Sequence, residues 1–273
     1  LDNKYGLNLT YATMGASLKY TAPSHRIDDT NCASKKAGYF KSEESIAKEV
    51  WEKLGLIERQ RHPLTFLIEA ADDIAYSVID LEDGLKKSVI TWTQIKSLAE
   101  CPEKGCKGFL NILEKAEHYL NTSDLGLQLS KKHQDDVRAV HFRTTAMREI
   151  VGSVIKAFIE NLDQIERGEI TVPLEELCDM KDVIEFAKNI SRKHIFGAQN
   201  ILKIEIKGKK VIHDLLELFW SGVSASDFKG KHKKFHDKIV ATMSRNYLDY
   251  AKISAQDGEM TTYRKVQLVT DYH

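Results

Sequence analysis

The sequence is poor in cysteine and proline, carries no net charge and has no long apolar run. Four cysteines in 273 residues are too few and too scattered for a disulfide framework. No apolar run reaches the roughly eighteen residues of a membrane span, and no charged-then-apolar stretch resembles a signal segment. Forty basic and forty acidic side chains cancel, so no global field indicates nucleic acid or a membrane as partner. We therefore expect a soluble, cytoplasmic protein without a membrane partner.

The length and the two ends of the chain bound its organisation. With 273 residues it is long enough for one large domain or two small ones. It begins with Leu1 rather than methionine, and its last residues are still apolar and periodic. We therefore expect the sequence to be part of a longer protein.

Scarce prolines and long segments with a 3.6-residue period predict an all-α fold. One segment differs, because Ile204 and Ile206 alternate with charged residues ahead of Gly208, and this predicts a short β-hairpin at 201–211. Helices are predicted at 9–20 and 43–54, from Pro63 to Leu85, and at 92–100, 107–120, 130–166, 174–195, 210–219, 231–253 and 260–272.

The helix that follows Pro63 contains an acidic stretch, EAADDIAYSVIDLEDG, at 69–84. Asp72, Tyr76 and Asp80 recur every four residues and therefore share one ridge about 12 Å long. Such a ridge is either a solvated surface or the wall of a cleft. In a cleft, one carboxylate could bind a cation, a second could accept a hydrogen bond from a hydroxyl, and the tyrosine could pack against a sugar. Three more carboxylates are expected beside it: Glu69, Asp73 and Asp83. The opposite face is predicted to be buried: Leu67, Ala71, Ile74, Val78, Leu81 and Leu85.

Four blocks of the sequence resemble one enzyme family, in the same order. LTFLIEAADDIAYSVIDLEDGLKK at 64–87 is similar to the central signature of the deoxyguanosine triphosphate triphosphohydrolases, which are HD-domain metal-dependent phosphohydrolases. GLNLTYATMGASLKY at 6–20, KKAGYF at 35–40 and LVTDYH at 268–273 resemble the same family. The resemblance implies an HD-domain-like helical bundle. It further implies that 1–125 is the C-terminal part of the catalytic core and that 126–273 is a helical region completing the nucleotide site.

The family resemblance implies metal-dependent hydrolysis of deoxynucleoside triphosphates, with dGTP as the first expectation, to deoxynucleoside and triphosphate. Asp72 matches the last of the family's metal ligands, for Mg²⁺ or Mn²⁺, and is the expected catalytic residue. Tyr76 matches a tyrosine that packs on the deoxyribose, and Asp80 an acid that holds the 3′-hydroxyl. Arg143 lies where the family has an arginine that can contact phosphate, and Glu205 lies in a segment that reaches nucleotide sites. The family also implies a homo-oligomer, possibly a hexamer.

A lysine-rich set is implied at the triphosphate. Lys19 and Tyr20, in LKY, match a lysine–tyrosine pair at the triphosphate and the sugar. Lys36 matches a second lysine that contacts phosphate, although the doublet leaves Lys35 as an alternative.

The sequence departs from the family at the metal site. The family requires a histidine and a His-Asp doublet ahead of the final aspartate, but only His25 and His62 precede Asp72 and no doublet does. With one of four ligands, residues 1–273 alone are expected to be inactive. A catalytically silent homologue that senses nucleotides or binds nucleic acid is therefore the alternative. The basic run KGKHKKFHDK at 229–238 could contact single-stranded nucleic acid, although such runs are usually solvated surface.

Two other metal sites are conceivable and less expected. Cys101 and Cys106 lack a second pair, so free thiols are expected instead of zinc. His133 and His141 lie about two helical turns apart with Asp136 between them. We expect a polar helix surface there rather than a metal site.

Overall fold

The structure, a computed structural model, describes residues 7–122, 130–224, 231–253 and 261–272. The chain divides into two compact units, one formed by Leu9–Ala198 and the other by Leu1–Asn8 with Gln199–His273. This division reflects compactness. The predicted division at 125/126 concerns catalytic roles and stays a prediction.

The larger unit is mainly helical, as predicted, with non-helical segments that include 27–40 and 55–62. Its helix α8 continues directly into a π-helical turn at Ser191–Phe196, and α6 is separated from α7 at Asn161. Short 3₁₀ turns lie at Ser24–Arg26, Lys41–Glu43 and Leu174–Glu176. The α-helices are α1 (Tyr11–Ser17), α2 (Glu44–Leu54), α3 (Pro63–Lys86), α4 (Trp92–Ala99), α5 (Lys107–Thr122), α6 (Lys131–Glu160), α7 (Leu162–Glu166) and α8 (Lys181–Ile190).

The core of this unit lies on one side of α3. Helices α6 and α8 and the π-helical turn pack against that side. Phe109 of α5 links the layers, because its ring lies 5.4 Å from that of Phe142 in α6 and 5.0 Å from that of Phe186 in α8. Leu81 of α3 is completely buried in the same cluster. Each large apolar side chain buried here contributes roughly 2 kcal/mol. The packing fixes one face of α3 and leaves the face with Asp72 exposed.

Local interactions determine where α3 begins and how closely it is packed. His62 is its N-cap, since Nδ1 accepts a hydrogen bond of 3.2 Å from the backbone N–H of Leu64, and Pro63 occupies the first turn. Gly84 lies inside the helix, where an added Cβ would be only 2.5 Å from Cδ1 of Ile195. The glycine therefore allows the π-helical turn to approach α3.

The predicted buried stripe of α3 is correct from Ile74 to Leu85 and wrong at Ala71. Ala71 is exposed, whereas Phe66 and Ala70 are buried. The first turns of α3 also pack against α1, where the Thr65 hydroxyl donates to the carbonyl oxygen of Ala16 at 2.9 Å. Because α1 covers the start of α3, the buried face there includes Phe66 and Ala70, which the apolar spacing alone did not predict.

The smaller unit contains α9 (Gln199–Ser224), α10 (Lys231–Thr242), α11 (Arg245–Ile253) and α12 (Thr262–Tyr272). The predicted hairpin at 201–211 is wrong, because these residues lie within α9. Alternation over so few residues is compatible with either structure, and the spacing of Ile204, Val211 and Leu215 along the chain is also that of a helix. Across the described ranges there is no strand, only an isolated bridge between Ala22 and Ala37. No described helix is both long and apolar enough to cross a membrane.

Candidate functional site

The exposed face of α3 carries the predicted ridge. Asp72, Tyr76 and Asp80 fall in one uninterrupted helix, so successive members are about 6 Å apart along the axis. The side chain of Asp72 is 51% exposed and Tyr76 is 61% exposed. Asp80 is partly buried, and this burial, together with nearby Asp83, raises the pKa of its carboxyl group. The ridge is therefore accessible to a ligand along its length.

Lys19 lies beside the first carboxylate of the ridge. Its ammonium is 3.9 Å from Oδ2 of Asp72 and 3.5 Å from Oε1 of Glu69. Partial burial by itself lowers the pKa of Lys19, but Glu69, Tyr20, Asp73 and Asp72 together raise it above its usual value. Lys19 is therefore held in its charged form, next to the carboxylate predicted to bind a metal.

Tyr20 lies between two lysines. The Lys19 ammonium is 6.0 Å from the centre of its ring, and that of Lys36 is 5.7 Å away, within the range of cation–π attraction. The segment with Lys19 and the loop with Lys36 are joined by backbone hydrogen bonds, among them Thr21 N–H to the Ala33 carbonyl at 2.7 Å. The structure thus brings together the three side chains predicted to lie at the triphosphate and the sugar.

Gly38 makes this arrangement possible. Its N–H donates to the carbonyl of Ala22 at 3.0 Å, and a Cβ at position 38 would collide with the backbone carbonyl of Tyr20. The close approach of the two segments therefore requires glycine at this position.

Glu69 is not on the solvent side of the acidic stretch, as the sequence pattern had predicted. It is 3% exposed and forms an ion pair with Arg61, which is equally buried, with 2.5 Å between Oε2 and Nη1. Arg61 precedes the helix, so the helical pattern assigns it no role. A buried glutamate needs a cationic partner, but nothing in the sequence marks Glu69 as buried, so no sequence signal identifies Arg61.

A second buried carboxyl group lies next to the ridge and was not predicted either. Glu175, in the turn at Leu174–Glu176, and Asp73 of α3 share the ammonium of Lys188, at 3.3 and 3.1 Å. Burial, reinforced by a hydrogen bond with Asp73, raises the pKa of Glu175 to about 7. Burial alone would also raise the pKa of Asp73, but Glu175 and Lys188 hold it below its usual value.

Of the two remaining predicted residues, only Arg143 belongs to the same unit as this cluster. Arg143, on α6, forms an ion pair with buried Glu82, with Nε 3.0 Å from Oε2. Glu82 follows Asp72 by ten residues, or about 15 Å along the helix axis. Glu205 is exposed on α9 and belongs to the other unit. Their roles stay predictions.

The described residues do not by themselves make a metal site. Asp72 is available as a ligand, whereas Glu69 is paired with Arg61, and Asp73 with Lys188. Within the described ranges, no group of three or more histidine, cysteine, aspartate and glutamate side chains could hold a metal ion. In the alternative sites, Cys101 and Cys106 are free thiols, and the ring of His141 stacks on that of Tyr119.

Together these features define an all-α protein in which an exposed acidic helix faces two lysines and a tyrosine. No family model matches the chain. Two curated relatives, from Listeria monocytogenes serovar 1/2a and Listeria innocua serovar 6a, are both named deoxyguanosinetriphosphate triphosphohydrolase-like protein. Each is 32% identical over an alignment of 283 positions that covers 100% of this chain. The predicted resemblance to the deoxyguanosine triphosphate triphosphohydrolase family is therefore confirmed. The chain spans 58% of the length of these relatives.

Proposed function

We propose that the protein containing these residues hydrolyses deoxynucleoside triphosphates, with dGTP as the first candidate, to deoxynucleoside and intact triphosphate. One observation carries the proposal: the Lys19 ammonium lies 3.9 Å from Asp72, one helical turn before exposed Tyr76. A cationic group, a carboxylate and an aromatic ring are thus close together, and this combination can contact the phosphate, a metal ion and the sugar of a nucleotide. The relatives' names support the same activity class.

Each side chain of the cluster has a part in this proposal. Lys19 and Lys36 neutralise the triphosphate as charge builds on the leaving group. Tyr76 packs against C2′ of the deoxyribose, where a 2′-hydroxyl would have no room. Asp80 binds the 3′-hydroxyl, and its raised pKa reflects a partly desolvated position in which such a hydrogen bond is strong.

A divalent cation, Mg²⁺ or Mn²⁺, belongs to the proposal, and when bound it supplies Lewis-acid chemistry at the phosphate. Asp72 is the side chain assigned to it here. A single carboxylate binds such a cation weakly, since these ions take six or more oxygen ligands. Water, phosphate oxygens of the substrate or side chains outside the described residues would supply the other ligands. We also propose a homo-oligomer, which light scattering on the purified protein tests.

Triphosphate release tests this function directly. Protein expressed from the complete reading frame is incubated with each of the four deoxynucleoside triphosphates and Mg²⁺ or Mn²⁺, and the products are separated by ion exchange. We expect deoxyguanosine and intact triphosphate from dGTP. Tight nucleotide binding without any product would instead establish the silent, nucleotide-sensing alternative. Neither binding nor hydrolysis would overturn both.

A further inference from the structure

Arg61 is a buried guanidinium whose hydrogen bonds join separate parts of the candidate site. It is 3% exposed, and Cζ of its guanidinium lies 5.3 Å from the centre of the Phe66 ring. Nε donates to the backbone carbonyl of Lys19 and Nη2 to that of Cys32, both at 2.8 Å. Nη1 donates to Glu69 of α3. One side chain therefore fixes three segments.

Each of these segments carries a residue of the proposed site. The first acceptor is the backbone of Lys19 itself. The second, Cys32, begins the short loop that leads to Lys36. The third, Glu69, precedes Asp72 by three residues on α3, and its other carboxylate oxygen is 3.5 Å from the Lys19 ammonium. The positions of both lysines relative to Asp72 thus depend on the same guanidinium.

The energetics of burial indicate a role beyond stability. Replacing a buried ion pair by apolar side chains of similar size is often neutral or stabilising, so such a pair is weak support for stability alone. An apolar side chain could fill the volume of Arg61, but it could not bind two backbone carbonyls. Lysine would retain the charge but lacks the planar set of five donors that reaches three acceptors at once.

We propose that Arg61 is a positioning residue that fixes where the two triphosphate-binding lysines lie relative to Asp72. The inference rests on the proposed function, because it assigns the triphosphate to Lys19 and Lys36. Arg61 itself does not touch the nucleotide, and its effect passes through the backbone of Lys19 and of the loop after Cys32.

The test compares two halves of the nucleotide in folded variants. Dissociation constants for inorganic tripolyphosphate and for deoxyguanosine are measured by calorimetry on the protein from the complete reading frame, and thermal melting checks the fold. Arg61→Lys keeps the charge and loses the planar set of donors. Ile112→Val, a buried change in α5, is the control for general loosening of the core, and Lys36→Gln removes a direct phosphate contact.

We expect Arg61→Lys to bind tripolyphosphate roughly tenfold more weakly, which is about 1.4 kcal/mol, and deoxyguanosine as the wild type does. If Arg61→Lys does not fold, Arg61→Met/Glu69→Met decides, because it replaces the whole pair. Removing Glu69 frees Lys19 from a competing carboxylate and should by itself strengthen anion binding. Weaker binding by the double variant therefore reports lost positioning.

The remaining outcomes separate the two proposals. Tripolyphosphate binding as tight in both Arg61 variants as in Ile112→Val would overturn the positioning role and leave the proposed function intact. Equal weakening of tripolyphosphate and deoxyguanosine binding would also overturn it, since that pattern indicates a general structural defect. Wild-type protein that does not bind tripolyphosphate, or Lys36→Gln that binds it unchanged, would overturn the lysine site and this inference with it.

Discussion

The ammonium of Lys19 lies 3.9 Å from Oδ2 of Asp72, so two segments of the larger unit meet at the start of the acidic ridge. Both side chains are partly exposed, at 34% and 51%, and a pair of this kind adds at most about 1 kcal/mol to stability. Substitutions at this contact should therefore affect ligand chemistry much more than folding, which makes it a suitable place to test function.

Asp72→Asn keeps the size of the side chain and removes its charge. We expect hydrolysis of dGTP by the protein from the complete reading frame to fall by at least about 100-fold, because the metal loses a ligand and activity depends on it. The melting temperature should change little. Triphosphate release and bound Mn²⁺ are measured side by side. Wild-type turnover with wild-type metal content would show that Asp72 is only solvated surface.

Tyr76→Ala should narrow the difference between dGTP and GTP. The exposed ring is proposed to occupy the space of a 2′-hydroxyl, so its removal admits the ribonucleotide while weakening contacts with the deoxyribose. The measurement is kcat/KM for both substrates. Tyr76→Phe is the matched control, since it keeps the ring and loses only the hydroxyl, and its preference should stay that of the wild type. An unchanged ratio in Tyr76→Ala would contradict a role for the ring in sugar selection.

Asp80→Ala should act on a different part of the sugar. A site that hydrogen-bonds a hydroxyl can reject an analogue without it by about 10⁴-fold, so the wild type should strongly prefer dGTP over its 2′,3′-dideoxy analogue. The variant should lose most of this preference and keep its discrimination against GTP. Glu114→Gln, an exposed change on α5, serves as control. If Asp80→Ala retains the wild-type preference, the carboxylate does not bind the 3′-hydroxyl.

Gly38→Ala should separate the two lysines. The added methyl group would collide with the Tyr20 carbonyl, so the loop with Lys36 has to move away from the segment with Lys19. We expect KM for dGTP to rise roughly tenfold with a smaller change in kcat, since the charge at the triphosphate is displaced rather than removed. Gly208→Ala, where nothing lies near the added Cβ, is the control. Equal kinetic constants in the two variants would contradict this reading of Gly38.

The ridge on α3 could be predicted from the sequence because its spacing is a local property of one helix. Glu69 could not be placed correctly, since its partner Arg61 lies outside the helical rhythm and contacts it only after the chain turns at His62. Glu175 lies about a hundred residues from Asp73, a separation at which periodicity carries no information about contact. The prediction of a hairpin around Ile204 was wrong because it relied on alternation over only a few residues. Those residues belong to a longer helix, whose formation determines their conformation.

Glu175 and Asp73 provide a prediction about pH. Both carboxyl groups face Lys188, and Lys19 also contributes to the charge near Asp73. The pKa of Glu175 is raised from 4.5 to about 7 in the folded protein, so the folded state holds this proton more tightly than the unfolded chain does. Its contribution to stability is therefore complete below about pH 4.5 and is lost as the pH rises through about 7.

Glu175→Gln should remove this pH dependence, because the amide keeps the shape of the protonated acid and can still hydrogen-bond Asp73 and Lys188. We expect the free energy of unfolding of the variant to equal that of the wild type near pH 4 and to exceed it by roughly 3 kcal/mol at pH 8. Urea unfolding at the two pH values measures the difference, and groups that titrate equally in both proteins cancel. Glu176→Gln is the control, since that neighbouring carboxylate forms an exposed ion pair with Lys181 and should show the wild-type dependence. The same pH slope in Glu175→Gln as in the wild type would mean that Glu175 does not hold a proton in the folded protein.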